Sequence, residues 1–186
     1  MNVENSKRVP NEEEIYKFYN IFKARKIEFI KEIKNIDPEI LEKFYWQDIK
    51  IENILLKKNW YTAFVPSNWL YNRKSFGVYY SIRCAFASKF ATPQLRLYVN
   101  VEAPIKEMYK DKFKKDVIAL LHQEKIKIAD VLIYPDAGKK LIEIVTDLQD
   151  ENACKRLIKQ YKSLTDFNRI VSLVLKNFIK EKLVEI

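Results

Sequence analysis

The chain has 186 residues, of which 48% are hydrophobic and 32% are charged, a composition typical of one packed globular domain. Its 34 Lys and Arg residues exceed its 25 Asp and Glu residues, and the resulting formal net charge of +9 favours polyanionic partners. Only two glycines occur, Gly77 and Gly138, which excludes the glycine-rich phosphate loops of P-loop and Rossmann proteins. The alternative for the charge is compositional background, because Lys, Ile and Asn are abundant throughout the chain.

The N-terminal segment and the cysteines indicate the expected compartment. Residues 1–10 are polar and are predicted to be a disordered leader. No apolar run approaches the roughly 18 residues of a membrane span, so no membrane segment is expected. Cys84 and Cys154 lie far apart and form no CxxC pair, so they are predicted to be reduced, packed thiols. We therefore expect a cytoplasmic protein.

The first folded elements are predicted from capping signals. Asn11 can cap a helix and Glu14, three residues on, can complete a capping box, so a helix is expected from residue 11 to about Ile36. Asp37 and Pro38 end it and begin a short second helix to about residue 46, because proline is tolerated in a first helical turn. The sequence thus predicts an N-terminal helical hairpin over residues 11–46.

The remaining elements alternate between strand and helix patterns. The predicted elements are strands at about 60–65, 77–87 and 94–101, a helix at 105–122, strands at 131–134 and 140–147, and a helix at 151–182 broken near Thr165 and Asp166. Short links between the strands imply antiparallel neighbours. This order predicts an α+β fold, a single domain over residues 11–186 in which helices pack on one face of an antiparallel five-stranded sheet.

Two central strands have faces of opposite character. Their aliphatic row includes Ile82, Cys84, Leu97 and Val99, which we expect to be buried under the helices. The other row, called here the tyrosine–arginine row, consists of Tyr79, Arg83, Arg96 and Tyr98. We expect this row to lie on an uncovered sheet face, where it could hold phosphates and stacked bases. The alternative is ordinary cross-strand pairing on a solvated face.

The link at 66–76, with the sequence PSNWLYNRKSF, places Trp69 near Arg73 and Lys74. Aromatic and arginine side chains are the usual anchors of an interface with a protein or with unstacked bases. The alternative is that Trp69 plugs the edge of the sheet.

Lysines and one arginine recur at helical spacing in two predicted helices, where they could follow phosphates without reading sequence. They are Lys106, Lys110, Lys112, Lys114 and Lys115 in the first, and Lys155, Arg156, Lys159 and Lys162 in the second. Solvated helix faces have the same pattern, so that alternative stays open.

The sequence predicts no catalytic residue, metal ligand or cofactor. His122 is the only histidine, and no serine or cysteine is near it in sequence, so a structural or surface role is expected. Asp136 and Glu143 imitate the opening of a metal-dependent nuclease signature, but Val145 stands where its lysine should be. Asp136 is predicted to serve the turn instead.

A family resemblance rests on the runs GVYYSIRCAF, QLRLYVNVEAP and IKEMYKDKFKKDVIALL, followed by a hairpin and a terminal helix. This order resembles a β-β-β-α-β-β-α domain of unknown function found in bacteria beside restriction-type nucleases, which is itself similar to the saddle of TATA-binding proteins. The resemblance covers about residues 60–182. It implies a DNA-associated, non-catalytic module in phage defence or counter-defence, and it transfers no site residues.

The predicted function is non-catalytic nucleic-acid binding, with DNA as the favoured partner. The predicted nucleic-acid-binding residues are Tyr79, Arg83, Arg96, Tyr98, Trp69, Arg73 and Lys74. The alternative is a protein-interaction or inhibitor protein, for example a phage-encoded antagonist of a host nuclease, which would use the same surface.

Overall fold

The structure is a computed structural model that describes residues 11–43, 59–85, 94–102, 105, 107–128, 131–134 and 138–184. Its elements are α1 (Glu12–Ile36), β1 (Leu41–Lys43), β2 (Asn59–Val65), β3 (Val78–Ala85), β4 (Gln94–Val101), α2 (Lys110–Gln123), β5 (Leu132–Ile133), β6 (Lys140–Asp147), α3 (Ala153–Ser163) and α4 (Thr165–Lys180). The described strands form one antiparallel sheet in the order β1-β2-β3-β4-β6-β5. The predicted α+β fold is confirmed, with six described strands instead of five.

Helix α1 begins and ends where its capping signals predict. The backbone N–H of Glu14 donates to Oδ1 of Asn11, and the N–H of Asn11 donates to Oε2 of Glu14, both at 2.9 Å. At the other end the N–H of Asp37 still donates to the carbonyl of Ile33 at 2.8 Å. The predicted helix boundaries are therefore confirmed, because reciprocal capping is a local interaction that the sequence specifies.

The predicted second helix is wrong over its described residues. Leu41–Lys43 form β1, which pairs with β2 so that Leu41 lies opposite Val65. Ile40, just before the strand, is buried in the core. Pro38 is compatible with the first turn of a helix. Pairing with the edge of β2, however, satisfies the backbone N–H and C=O groups of Leu41–Lys43 and holds this segment on the sheet. Residues 44–46 of the predicted helix lie outside the described residues.

Strands β3 and β4 pair as the alternation predicts. Ile82 lies opposite Leu97 and Tyr80 lies opposite Val99 in an antiparallel ladder. Ile82, Cys84, Leu97 and Val99 are all buried, so the predicted core row is confirmed. Because side chains alternate along a strand, this register places the tyrosine–arginine row on the face away from the aliphatic row.

Aromatic side chains join the helices to the aliphatic face of the sheet. Phe64 stacks on Tyr80 at 5.2 Å between ring centroids, and Phe29 of α1 contacts Phe64 at 6.0 Å. Phe113 of α2 meets Phe178 of α4 edge to face at 5.1 Å. Such pairs add to the apolar burial that holds the two layers together. Among the described residues, no helix combines the length and the apolarity needed to cross a bilayer.

The sequence predicts the boundaries of the two C-terminal helices more accurately than it predicts the start of α2. The predicted break near Thr165 is confirmed, because α3 ends at Ser163 and α4 begins at Thr165. Helix α2 begins only at Lys110, after a 3₁₀ turn at Glu107–Tyr109, and not at residue 105 as expected. Ile105 instead forms an isolated antiparallel bridge with Val184 near the end of the chain. A local helix signal in the sequence cannot predict this long-range contact.

Both cysteines are free and buried, as predicted. Burial raises the pKa of the Cys154 thiol to about 12, and it raises that of Cys84 as well. Both side chains are therefore protonated, packed thiols at neutral pH.

Candidate functional site

The strand register brings the tyrosine–arginine row together with residues of β6. Arg83 lies opposite Arg96 across β3 and β4, and Tyr98 lies opposite Glu143 across β4 and β6. A β-bulge between Val99 and Asn100 shifts the register at the end of the β4–β6 pair. The two predicted strands thus form one face, and that face includes a carboxylate from a third strand.

This face is less accessible than the alternation suggests. Tyr79 and Tyr98 are only 9% and 4% exposed, and the side chain of Arg96 is 13% exposed. Arg83 is partly exposed. The expectation of an uncovered face is therefore wrong for both tyrosines.

Both tyrosines are enclosed within the described part of the chain. Tyr79 belongs to the buried core. The ring of Tyr98 has the guanidinium carbon of Arg83 at 5.3 Å and the ammonium of Lys140 at 4.6 Å from its centroid. These contacts are cation–π interactions. The chain's own cations thus occupy the ring surface on which a base would have to stack.

A buried carboxylate organises the polar groups of this face, which we call the Glu143 cluster (Arg96, Tyr98, Tyr134, Lys140 and Glu143). Glu143 is 3% exposed, and its Oε1 accepts from Nη1 of Arg96 at 2.9 Å. Its Oε2 accepts from the Tyr134 hydroxyl and lies 3.4 Å from Nζ of Lys140. Arg96 also donates to the Tyr98 hydroxyl at 3.1 Å. The cluster is a hydrogen-bond network across β4, β6 and the segment after β5, and Nε of Arg96 extends it to Oε1 of Gln94 at 3.0 Å.

The electrostatics of the cluster hold Glu143 ionised. Burial by itself raises the pKa of Glu143, but the hydrogen bond from Tyr134 and the charges of Lys140 and Arg96 outweigh it, so this pKa lies below its ordinary value. The same hydrogen bond, together with burial, raises the pKa of Tyr134 to about 12. At neutral pH the carboxylate is charged and the phenol is protonated. This arrangement stabilises the sheet and leaves no group poised to exchange a proton near pH 7.

The depressed pKa of Glu143 predicts an acid-sensitive contribution to stability. It is fully present above the unfolded-state pKa of about 4.3 and is lost as the pH falls through the lower folded-state value. The free energy of unfolding, measured by urea titration from pH 6 to pH 3, should therefore fall less steeply in Glu143→Gln than in the parent. Glu151→Gln, which removes an exposed carboxylate, should keep the parental slope. Parallel curves for Glu143→Gln and the parent would contradict this assignment.

Trp69 is a core side chain. It is 1% exposed, and its ring stacks on Tyr80 at 5.0 Å with an interplanar angle of 11°. Its Nε1–H donates to the carbonyl of Asn168 in α4 at 2.9 Å. The packing role, which was the alternative interpretation, therefore describes Trp69, and its ring is inaccessible to a base.

The exposed members of the predicted site are at the tip of the loop. Arg73 and Lys74 are exposed, and Tyr71 beside them is 46% exposed. Mutual backbone hydrogen bonds of 3.0 Å join Tyr71 and Lys74. The structure thus separates the predicted residues into a packed group on the sheet and an exposed group on this turn.

The lysines of α2 are only partly on its surface. Lys110 and Lys114 are buried, contrary to expectation, and Nζ of Lys114 lies 3.3 Å from the carbonyl of Gly138. A lysine can be buried in this way because its long stem packs against apolar groups while its ammonium reaches an acceptor. Lys112 pairs with Asp116 at 2.6 Å, Lys115 is exposed, and Lys106 lies outside the described residues. Helix α2 therefore offers no continuous row of lysines.

Helix α3 keeps all of its predicted cations on the surface. Lys155, Arg156, Lys159 and Lys162 are exposed. Arg156 pairs with Asp150 at 2.9 Å. Within the described part of the chain, the three lysines make no ion pair or side-chain hydrogen bond. We call these four residues the α3 basic face.

Among the described residues, those considered for catalysis do not come together as a site. Glu143 is committed to its cluster, Val145 is 41% exposed, and Asp136 lies outside the described residues. His122 is exposed in the last turn of α2. No group of three or more His, Cys, Asp or Glu side chains in the described ranges could hold a metal ion.

Comparison of the chain with protein-family models, with curated proteins and with solved structures finds no match. From β2 to α4 the described elements follow the order that the sequence predicts. The resemblance to the β-β-β-α-β-β-α domain stays a prediction, since an order of elements does not identify a family.

Proposed function

We propose that this chain is a non-catalytic nucleic-acid-binding protein that holds backbone phosphates on the α3 basic face. The observation that carries the proposal is the placement of Lys155, Lys159 and Lys162 at i, i+4 and i+7, exposed and without an ion pair among the described residues. Residues at this spacing lie along one side of a helix. The net charge of +9 acts in the same direction by attracting polyanions.

The opposite side of α3 fixes the orientation of these lysines. Cys154, Leu157, Ile158 and Tyr161 are buried in the core, so the helix cannot rotate without exposing them. With a rise of 1.5 Å per residue, Lys155 and Lys162 are about 10 Å apart along the axis. This length is close to three base-pair steps of about 3.4 Å, so the three ammonium groups can follow successive phosphates of one strand.

The chemistry of this face supports binding without sequence recognition. Lysine acts as a flexible point charge and seldom reads base edges by itself. The aromatic side chains predicted to stack on bases, Tyr79, Tyr98 and Trp69, are buried. The proposed mode is therefore phosphate contact without stacking, and its affinity should depend steeply on salt.

The test removes the three lysines together. Lys155→Gln/Lys159→Gln/Lys162→Gln should weaken binding to a labelled 20-base-pair duplex by about tenfold or more at 0.1 M salt, equally for unrelated sequences. Because each phosphate contact adds about 0.9 to the slope of log K against log salt concentration, this slope should fall by about 2–3. Fluorescence anisotropy from 50 to 300 mM salt measures both quantities.

A matched control separates the site from the overall charge. Lys115→Gln/Lys125→Gln/Lys127→Gln removes three exposed cations in α2 and the segment after it. This variant should change the salt slope by much less than the α3 variant does. Equal losses would show that only net charge matters. A parent that binds neither duplex DNA, single-stranded DNA nor RNA would refute the proposed function.

One observation favours the alternative function, a protein-interaction or inhibitor protein. Leu132, Ile133 and Val145 are 57%, 39% and 41% exposed where β5 forms the edge of the described sheet. Leu132 lies opposite Glu143 and so shares a sheet face with Val145, whereas Ile133 points to the other face. Neighbouring exposed apolar groups such as Leu132 and Val145 are typical of protein-binding surfaces. An interface centred on them would tolerate high salt and would be weakened by Leu132→Asp, whereas nucleic-acid binding on α3 would be unaffected by that change.

A further inference from the structure

The turn at residues 71–74 has an unfavourable backbone for its sequence. Its two mutual Tyr71–Lys74 hydrogen bonds close a two-residue hairpin whose central residues have positive φ, +50° at Asn72 and +59° at Arg73. Such turns favour Asn followed by Gly, because only glycine adopts the second position without steric cost. Asparagine suits its place here, but an arginine stands where glycine is expected.

Contacts before the turn hold the loop in place. The N–H of Ser67 donates to Oδ2 of Asp37 at 2.7 Å, and the hydroxyl of Ser172 donates to the carbonyl of Asn68 at 2.6 Å. Trp69 is buried against Tyr80, as described above. These contacts tie the loop to the end of α1, to α4 and to β3.

The segment after the turn is packed as well. Phe76 is buried and meets the ring of Tyr71 edge to face at 6.0 Å. The loop is therefore anchored on both sides of residues 71–74. The positive φ of Arg73 is imposed by a fixed framework.

No hydrogen bond or ion pair of the Arg73 side chain with the described residues offsets the cost of its positive φ. The side chain is exposed, and among the described residues it makes no ion pair or hydrogen bond. Lys74 next to it is also exposed. An arginine at a position that favours glycine, with no hydrogen bond or ion pair to the described residues, suggests that the guanidinium acts on another molecule.

The loop that carries the turn packs against α4, the helix that directly follows α3. Helix α4 begins at Thr165, just after α3 ends at Ser163, and its first turns reach the loop through the Asn168 carbonyl bonded to Trp69. Lys162, in the last turn of α3, is therefore only six residues before the part of α4 that contacts this loop. One extended polyanion could contact both regions.

We propose that the 71–74 turn is a preorganised phosphate contact, in which the Arg73 guanidinium binds a phosphodiester of the same nucleic acid that lies along α3. This proposal rests on the proposed function. Arginine donates two parallel hydrogen bonds to one phosphate, and a rigid turn presents that fork with little loss of conformational entropy on binding. Lys74 adds a second positive charge beside it.

Arg73→Gly separates this role from a structural one. Removing the strained side chain should raise Tm by about 2–4 °C, because glycine adopts the positive φ of this position without steric cost. The same change should weaken duplex binding about fivefold or more at 0.1 M salt and lower the salt slope by about 1. A more stable protein that binds less well is the expected result.

Lys125→Gly is the matched control. Lys125 also has positive φ, +56°, and is exposed just after α2, where the N–H of Ile126 donates to the carbonyl of Leu121 at 2.9 Å in a helix-terminating motif. This variant loses one cation and relieves the same kind of strain. It should show a similar gain in Tm and less than a twofold change in affinity.

The outcomes distinguish this inference from the proposed function. If Arg73→Gly binds duplex like the parent, or no less tightly than Lys125→Gly, the phosphate contact is refuted, and a partner of another class, such as an acidic protein, becomes the better explanation. If Arg73→Gly lowers Tm, the arginine has a structural role and the inference also fails. In both cases the α3 triple variant still tests the proposed function. A parent that binds no nucleic acid refutes both proposals.

Discussion

Glu143→Ala is expected to lower the free energy of unfolding by about 3–5 kcal/mol, because it leaves a largely buried arginine without its carboxylate. Arg96 and Glu143 are 13% and 3% exposed and lie 2.9 Å apart. The same change removes the acceptor of the Tyr134 hydroxyl. Chemical denaturation at pH 7, read by far-UV circular dichroism, measures the loss.

Two companion variants identify the cause of that loss. Glu143→Gln keeps an acceptor for Tyr134 and removes only the charge, so it should cost less than Glu143→Ala. The double variant Arg96→Met/Glu143→Leu replaces the pair by apolar groups of similar volume and should recover most of the stability. A loss of less than about 1 kcal/mol in Glu143→Ala would mean that the pair behaves like a solvated surface pair.

Trp69→Ala should lower the free energy of unfolding by a similar amount, about 3–5 kcal/mol, as for other large aromatic side chains removed from a core. The indole fills the space between β3 and α4, and its N–H satisfies the Asn168 carbonyl. Trp69→Phe keeps the stack on Tyr80 but removes the hydrogen bond from Nε1 to the Asn168 carbonyl, so a smaller loss of about 0.5–1.5 kcal/mol is expected from that bond. Urea unfolding followed by tyrosine and tryptophan fluorescence measures both.

Binding assays with folded Trp69→Phe decide between the two interpretations of this residue. A core role predicts nucleic-acid affinity close to that of the parent, whereas a stacking role predicts weaker binding, by less than the roughly 1–3 kcal/mol that loss of a whole ring costs. Met108→Ala is the control, because Met108 is 75% exposed, lies outside the proposed interface, and its removal should change stability by about 0.5 kcal/mol or less. Weak binding by a stable Trp69→Phe protein would overturn the assignment of Trp69 to the core.

These assignments move the proposed interface from the sheet to the surface around α3 and the 71–74 turn. On the sheet, Arg96 is bonded to Glu143, and Arg83 and Lys140 lie over Tyr98. On α3, by contrast, the lysines face outward because the other side of the helix is apolar. A cation that is already engaged within the chain gains less from a phosphate than an exposed one does, since the existing contact must first be lost.

Local patterns in the sequence were sufficient for most of the fold. Asn11 and Glu14 marked the start of α1 because a capping box involves residues only three positions apart. Alternation placed Ile82 and Leu97 in the core because side chains of a strand point to opposite faces in turn. The break between α3 and α4 lies near Thr165, as the sequence predicts, although the N-cap is Leu164 and no side chain caps the start of α4. Each of these signals depends on neighbours along the chain.

Contacts between distant segments decided the rest, and these contacts determine the candidate site. Glu143 accepts a hydrogen bond from Arg96, which is 47 positions away in the chain. Strand β1 forms because Leu41 to Lys43 pair with β2, where Leu41 lies opposite Val65. Trp69 is buried because Asn168, 99 positions away, accepts its N–H. Alternation states which residues share a face, but exposure depends on what packs over that face. The sequence alone therefore determined the central strands and their core row, and only the tertiary structure decided that β1 joins the sheet and which cations remain at the surface.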